Sequence, residues 1–159
     1  MKQLLDFLIL PETKISTPRD FLISKCKPLI SIIYSDLLNY KKRYSFKSPG
    51  YFHDVYKSNG VYIIEFPNKI YVGSTSGETM YFGRRWKDHG KLNLFSLKNL
   101  MVETDPEKII FHAIFRSKSD SVSKFIESGL IAFLSEASPD LLANCSDSSQ
   151  RKQYKKSVS

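Results

Sequence analysis

Several things are missing from this chain, and each absence narrows its reading. No apolar run reaches the roughly 18 residues that a membrane-spanning helix needs, so no membrane partner is expected. The apolar start, Met1 to Leu10, is interrupted by Asp6 and runs into Pro11-Glu12. It has no small-residue cleavage site, so it is not expected to act as a signal peptide. Cysteine is scarce: Cys26 and Cys145 lie far apart and form no ligand motif. Reduced thiols and a cytoplasmic setting (bacterial, or the host's for a phage-encoded chain) are the expectation. Neither an internal repeat nor an extended low-complexity tract is present.

What is present suits a single domain with room for a terminal extension: 159 residues, 42% of them hydrophobic and 13% aromatic. The net charge of +8 favours a polyanionic partner, through phosphate contacts and counterion release. Residues 1–50 carry nine Lys/Arg against four Asp/Glu, and residues 51–159 carry fifteen against twelve. Much of the positive excess therefore lies in the first third.

The pattern of apolar residues divides the chain. Helical character runs from Pro18 or Arg19 to Lys27. Leu29, Ile30, Ile33, Leu37 and Leu38 then recur at helical spacing, which predicts a second helix to about Tyr44. Its end, Asn39 to Tyr44, is basic and aromatic: either a solvated last turn or a phosphate-contacting face with tyrosines for stacking. Pro49-Gly50 and Ser58-Asn59-Gly60 are turn signals. Strands are expected over Val61–Phe66 and Ile70–Gly73, around a Pro67-Asn68-Lys69 turn. A helix is expected from Tyr81 or Phe82 to Lys91, a third strand over Lys108–Arg116, and a helix over Val122–Leu134 capped by Asp120 or Ser121. The predicted fold is α/β (α+β): a small three-stranded antiparallel sheet flanked by helices, with an N-terminal helical extension over 1–50. The core spans 51–146, and a basic tail covers 147–159.

Within this frame a few residues suit chemistry. Alternation along both strands can set Tyr62 and Tyr71 on one face of the hairpin. Either tyrosine alone is ordinarily half-buried packing. Gly60 and Gly73 are places where backbone or ligand can approach closely. On the following helix Arg85 and His89 are four apart and share a face, whereas Arg84 diverges from His89. A guanidinium can bridge phosphate oxygens, and a histidine can relay a proton near neutral pH. The same segment is also an ordinary basic helix face. His53 and His112 have no comparable neighbours. Glu127 borders the apolar stripe Phe125, Ile126, Leu130, Ile131, and a carboxylate there needs a partner, for which Mg²⁺ is one solution. Glu136 is the rival carboxylate.

Taken in order, Gly60-Val61-Tyr62, Tyr71-Val72-Gly73, Arg85 with His89, Glu127 and Asn144 resemble the GIY-YIG nuclease superfamily over about residues 59–146. Valine stands for isoleucine in both signature triplets, a change a buried β-branched position tolerates. The resemblance implies a metal-dependent endonuclease that hydrolyses DNA phosphodiesters. It implies that Tyr62 positions or deprotonates the attacking water, that His89 relays the proton, and that Tyr71 contacts the water or the phosphate. Arg85 (with Arg84 as the alternative) would stabilise the transition-state charge, and Glu127 would hold one Mg²⁺ or Mn²⁺. Gly73 would allow close approach to the phosphate. Asn144 would be structural or phosphate-contacting, and Lys69 and Lys87 would be auxiliary phosphate contacts. Lys41, Lys42 and Arg43 are expected to form part of the DNA-binding surface. Double-stranded DNA is the favoured substrate of a compact restriction-type or phage-type enzyme, with single-stranded DNA and RNA as alternatives. A double-strand cutter needs two active sites or two visits, so a homodimer is one expectation. The competing readings are a nucleic-acid-binding module that has lost catalysis, and a basic structural protein in which these residues only pack.

Overall fold

A β-hairpin forms the middle of the molecule. β2 (Gly60–Glu65) and β3 (Ile70–Thr75) pair antiparallel, with Tyr62 opposite Gly73 and Ile64 opposite Tyr71. The computed structural model describes residues 15–40, 50–91 and 97–144. Around the hairpin lie α1 (Pro18–Phe21), a π-helical turn (Leu22–Cys26), β1 (Ile30–Ile33), α2 (Tyr34–Asn39), α3 (Gly50–Tyr56), α4 (Phe82–Lys91), α5 (Lys98–Glu103), β4 (Ile110–Arg116) and α6 (Asp120–Ala137). Short 3-10 turns at Pro106–Lys108 and Pro139–Leu141 complete the described elements. None of the described helices is long and apolar enough to cross a membrane.

The mixed α/β class and the antiparallel sheet are as expected, but the sheet has four strands rather than three, in the order β1-β4-β2-β3. The extra strand comes from the segment read as a helix over 29–44. Ile30-Ser31-Ile32-Ile33 pairs with β4, placing Ile30 opposite Ala113 and Ser31 opposite His112, and the helix begins only at Tyr34. Helical spacing was present there, but so was a β-branched run. Without β1, the outer edge of β4 would be left with unpaired backbone donors and acceptors. The basic end of the expected helix, including Lys41, Lys42 and Arg43, lies outside the described residues.

The sheet buries both faces. On one, α6 covers Val61, Ile63 and Val72 with Ile126, Leu130, Ile131 and Leu134, and Phe21 and Leu22 join the same cluster. On the other, Tyr62, Ile64 and Phe111 pack with Val55, Tyr56, Phe82 and Trp86 from α3 and α4. Full burial of each large apolar side chain contributes about 1.5–3 kcal/mol. α6 starts where the Ser119 side chain accepts from the Val122 N–H, one residue before the expected cap, and its helix ends ahead of Pro139. Phe125, expected in its buried stripe, is 55% exposed; the buried face runs through Ser123, Ile126 and Leu130 instead.

A bulge interrupts the β2–β4 ladder. Val61 faces Phe115 and Tyr62 faces Ala113, leaving Ile114 unpaired between them. A chain of polar contacts ties the N-terminal segment to the sheet. Ser31 Oγ lies 2.6 Å from His112 Nδ1, His112 Nε2 lies 2.9 Å from Glu65 Oε1, and Arg19 lies 3.2 Å from Glu65 Oε2. His112 and Glu65 are both buried, so this network satisfies groups that would otherwise be costly.

Candidate active site

Gly73 determines where Tyr62 points. A Cβ built on Gly73 would sit 2.4 Å from both Cζ and the hydroxyl oxygen of Tyr62. The phenol ring thus lies across the space that a side chain on β3 would fill, and its hydroxyl is carried over β3, an edge strand of the sheet. Tyr71, two residues earlier on β3, shares that face, as the register requires, with ring centroids 6.3 Å apart. The expectation that the two tyrosines share a face therefore holds.

α4 supplies the next two groups. Phe82 and Trp86 anchor it in the core, and the intervening turns present Arg85 and His89 toward the tyrosines. His89 Nε2 lies 2.5 Å from the Tyr62 hydroxyl, and its ring meets Tyr71 edge-on at 5.2 Å. Arg85 interacts with the Tyr62 hydroxyl and lies within electrostatic reach of Tyr71. Arg84 turns away, and its Nη1 donates to the Thr79 carbonyl at 3.2 Å.

Glu127 reaches the same edge from α6. The Ser74 hydroxyl donates to Glu127 Oε2 at 2.6 Å. Among its charged neighbours are Arg85 and Lys124, and it also bears on both tyrosines. Ser74 was not singled out from the sequence. It lies one residue beyond the strand expected over Ile70–Gly73, whereas β3 continues to Thr75. No local signal distinguishes a serine that positions a carboxylate from one that caps a strand.

Other expected contacts lie elsewhere. Both ends of the Asn144 amide bind the backbone of Val72: Oδ1 accepts from its N–H at 2.9 Å and Nδ2 donates to its carbonyl at 2.7 Å. With Leu142 bridged to Ile70, this segment closes the free edge of β3 between Tyr71 and Gly73, a structural role. Lys69 Nζ donates to the Asp140 carbonyl at the hairpin turn. Lys87 Nζ donates to the Tyr40 carbonyl at 3.2 Å, on another face of α4 from Arg85 and His89.

Burial dominates the electrostatics. It pushes Tyr62 well above the ordinary phenol range, with Tyr71 adding to the rise and Arg85 opposing it. Burial raises Tyr71 as well, reinforced by Glu127. It raises Glu127 too, against the Ser74 hydrogen bond, Lys124 and Arg85. Both hydroxyls are therefore protonated at neutral pH, and the Glu127 carboxylate gains from any added cation. His89 is pushed down to about 3 by burial and then by Arg85. Its ring is neutral at neutral pH, so Nε2 can accept from the Tyr62 hydroxyl, while Nδ1 is buried with no partner among the described residues.

This depressed histidine has a consequence for stability. An unfolded histidine titrates near ~6.5. Between that value and about 3, the unfolded chain takes up a proton that the folded ring refuses. The contribution is complete above pH ~6.5 and declines as pH falls toward the folded value. Going from pH ~7 to ~5 should cost about 2 kcal/mol through His89, read from urea unfolding midpoints. In His89→Gln the pH dependence across that window should be flatter by this amount. Equal slopes in the two proteins would refute the buried neutral ring.

Among the described residues, no group of three His, Cys, Asp or Glu side chains could hold a metal ion. Glu127 is the carboxylate that Ser74 holds at this edge, and a single partly buried carboxylate suits a hard cation that keeps most of its ligands as water and substrate phosphate, as Mg²⁺ does.

No family model, no curated protein and no solved structure matches the chain. Function is therefore read from the site: two phenols, a neutral imidazole, a guanidinium and a carboxylate around one strand edge. Such a set can orient a water, accept its proton through a hydroxyl–imidazole pair, and neutralise charge on a phosphate.

Proposed function

We propose that the protein is a divalent-metal-dependent DNA endonuclease of the GIY-YIG type, compact and of restriction or phage kind. The observation that carries this reading is the meeting of Tyr62, Tyr71, Arg85, His89 and Glu127 at the β3 edge from four separate elements, β2, β3, α4 and α6. The Tyr62–His89 contact supplies a route for a proton. As a water attacks phosphorus, the Tyr62 oxygen takes its proton while the phenolic proton passes to Nε2 of neutral His89. No free phenolate has to form, but burial and Arg85 hold His89 at about 3, so the transfer depends on the negative charge that builds on the phosphate to stabilise the imidazolium. Arg85 stabilises charge gathering on the non-bridging oxygens. Tyr71, partly exposed beside Tyr62, holds the water or a phosphate oxygen. Glu127 would hold Mg²⁺ or Mn²⁺, an ion that supplies Lewis-acid polarisation of the phosphate and shields the leaving oxygen. Ser74 orients the carboxylate through Oε2.

The test is incubation of the protein with single- and double-stranded DNA plus Mg²⁺ or Mn²⁺, followed by sequencing of the cut ends. Wild type should cut, and folded Tyr62→Phe and Arg85→Ala should not. A wild-type protein that binds DNA but cuts with neither metal would establish the binding-module alternative instead.

A further inference from the structure

Beside the site, α4 forms one wall of a cleft of about 540 Å³ that the proposed chemistry does not use. Arg84, Lys87, Asp88 and Lys91 project from this wall, a different face of the helix from Arg85 and His89. The rest of the lining is largely aromatic: Tyr40, Tyr56 and Tyr81, the residue just before α4, with Lys57 Nζ 4.0 Å from the centre of the Tyr81 ring. Four lysine and arginine side chains face a single carboxylate, and none of the four forms a salt bridge with the described residues. The rings are held in place. Tyr40 packs on Tyr56 at 4.5 Å between centroids, its hydroxyl is 3.2 Å from His53 Nδ1, and its carbonyl accepts from Lys87. Packing thus sets aromatic rings and cationic side chains around one cleft.

We infer that this cleft binds an unpaired nucleotide of a nucleic-acid strand, the base against Tyr81 and Tyr40 and the phosphate among Lys57, Arg84 and Lys91. An anion alone would need only the cations, and an apolar ligand only the rings. A nucleotide uses both. A duplex keeps its bases inward and offers a convex backbone, which could touch the lysines but could not fill a concave space lined by tyrosine rings. A base that has left the stack can. The two faces belong to one helix, with Arg84 next to Arg85 and Asp88 next to His89, so one strand can lie in the cleft and continue to the β3 edge. That continuation rests on the nuclease reading; binding in the cleft does not.

The experiment is fluorescence anisotropy of a labelled short oligo(dT) and of a blunt duplex, titrated with full-length protein in EDTA at several salt concentrations. Tyr81→Ala should weaken oligo(dT) binding about tenfold, as loss of one stacked base does, and change duplex binding less than about twofold. Lys57 and Arg84 are exposed, so Lys57→Ala/Arg84→Ala leaves the fold intact. This double variant should flatten the salt slope for oligo(dT) by up to about 0.7, the share of the one phosphate held there. The proposal is overturned if Tyr81→Ala binds oligo(dT) like wild type, or if single strand and duplex lose affinity alike. Should Tyr81→Ala melt early, the double variant decides by its salt slope: an unchanged slope overturns the proposal. Adding Mg²⁺ afterwards separates the two sites. Cleft-dependent binding without cleavage leaves the cleft standing and sinks the nuclease. Cleavage with no dependence on the cleft does the reverse.

Discussion

Glu127→Ala should lower metal-dependent DNA cleavage by about 10³-fold, the size of effect seen when a principal charge-stabilising group is removed from a hydrolytic site. The same variant should bind uncut DNA in EDTA at least as tightly as wild type. On the nuclease reading, the metal-free Glu127 carboxylate would face the bound phosphate and repel it. Burial already raises its pKa, so the ionised form is maintained at a cost in the folded protein, and the melting temperature should change little or rise. Glu127→Gln sharpens the test. It keeps an oxygen that can accept from Ser74 and removes only the charge. If Glu127→Gln cleaves like wild type across a Mg²⁺ titration, Glu127 does not hold the metal. If Glu127→Ala loses DNA binding as well as cleavage while Glu127→Gln keeps both, the residue is structural, and the Ser74 contact is what matters.

The second large effect concerns Gly60. Its φ of 153° is one that L side chains rarely adopt, and a Cβ built there would lie 1.8 Å from the carbonyl oxygen of Phe115 on β4. The obstacle is backbone, beside the β2–β4 bulge, and it cannot rotate away. Gly60→Ala should therefore destabilise the fold by about 3 kcal/mol or more, combining backbone strain with overpacking. The melting temperature should fall by about 6–12 °C for a chain of this size. A loss of less than about 1 kcal/mol would mean that the strand end relaxes around the methyl group. Gly73→Ala is the informative contrast. There the added carbon meets the buried Tyr62 ring, a side chain rather than backbone. Cleavage should suffer before stability does, because displacing the phenol breaks its contact with His89 Nε2. The two glycines of the hairpin thus serve different ends: one lets two strands meet, and the other makes room for the Tyr62 phenol.

Much of the hairpin and its helices could be read from the chain. Val61–Ile64 and Ile70–Val72 alternate over a few residues around a Pro-Asn turn, and Phe82, Trp86, Arg85 and His89 sort onto two helix faces by their spacing alone. These are local properties, in which one residue's direction follows from its neighbour's. The shared face of Tyr62 and Tyr71 was readable only as an option. Register decides it, and register depends on where Ile64 meets Tyr71 across the turn.

Contacts between distant segments were not legible in this way. The helical spacing of Leu29, Ile30 and Ile33 was present, yet Ile30–Ile33 is a strand, because β4, some eighty residues later, offers an edge that only pairing can satisfy. The hold of Ser74 on Glu127, the double hydrogen bond of Asn144 to Val72, and the alignment of Ser31, His112 and Glu65 each join residues far apart in the chain. A side chain's type and spacing set the chemistry it can do and the face it takes on its own element. The neighbour across the core, and therefore whether a tyrosine packs or reacts, is settled only when the sheet closes and burial turns nearby groups into partners.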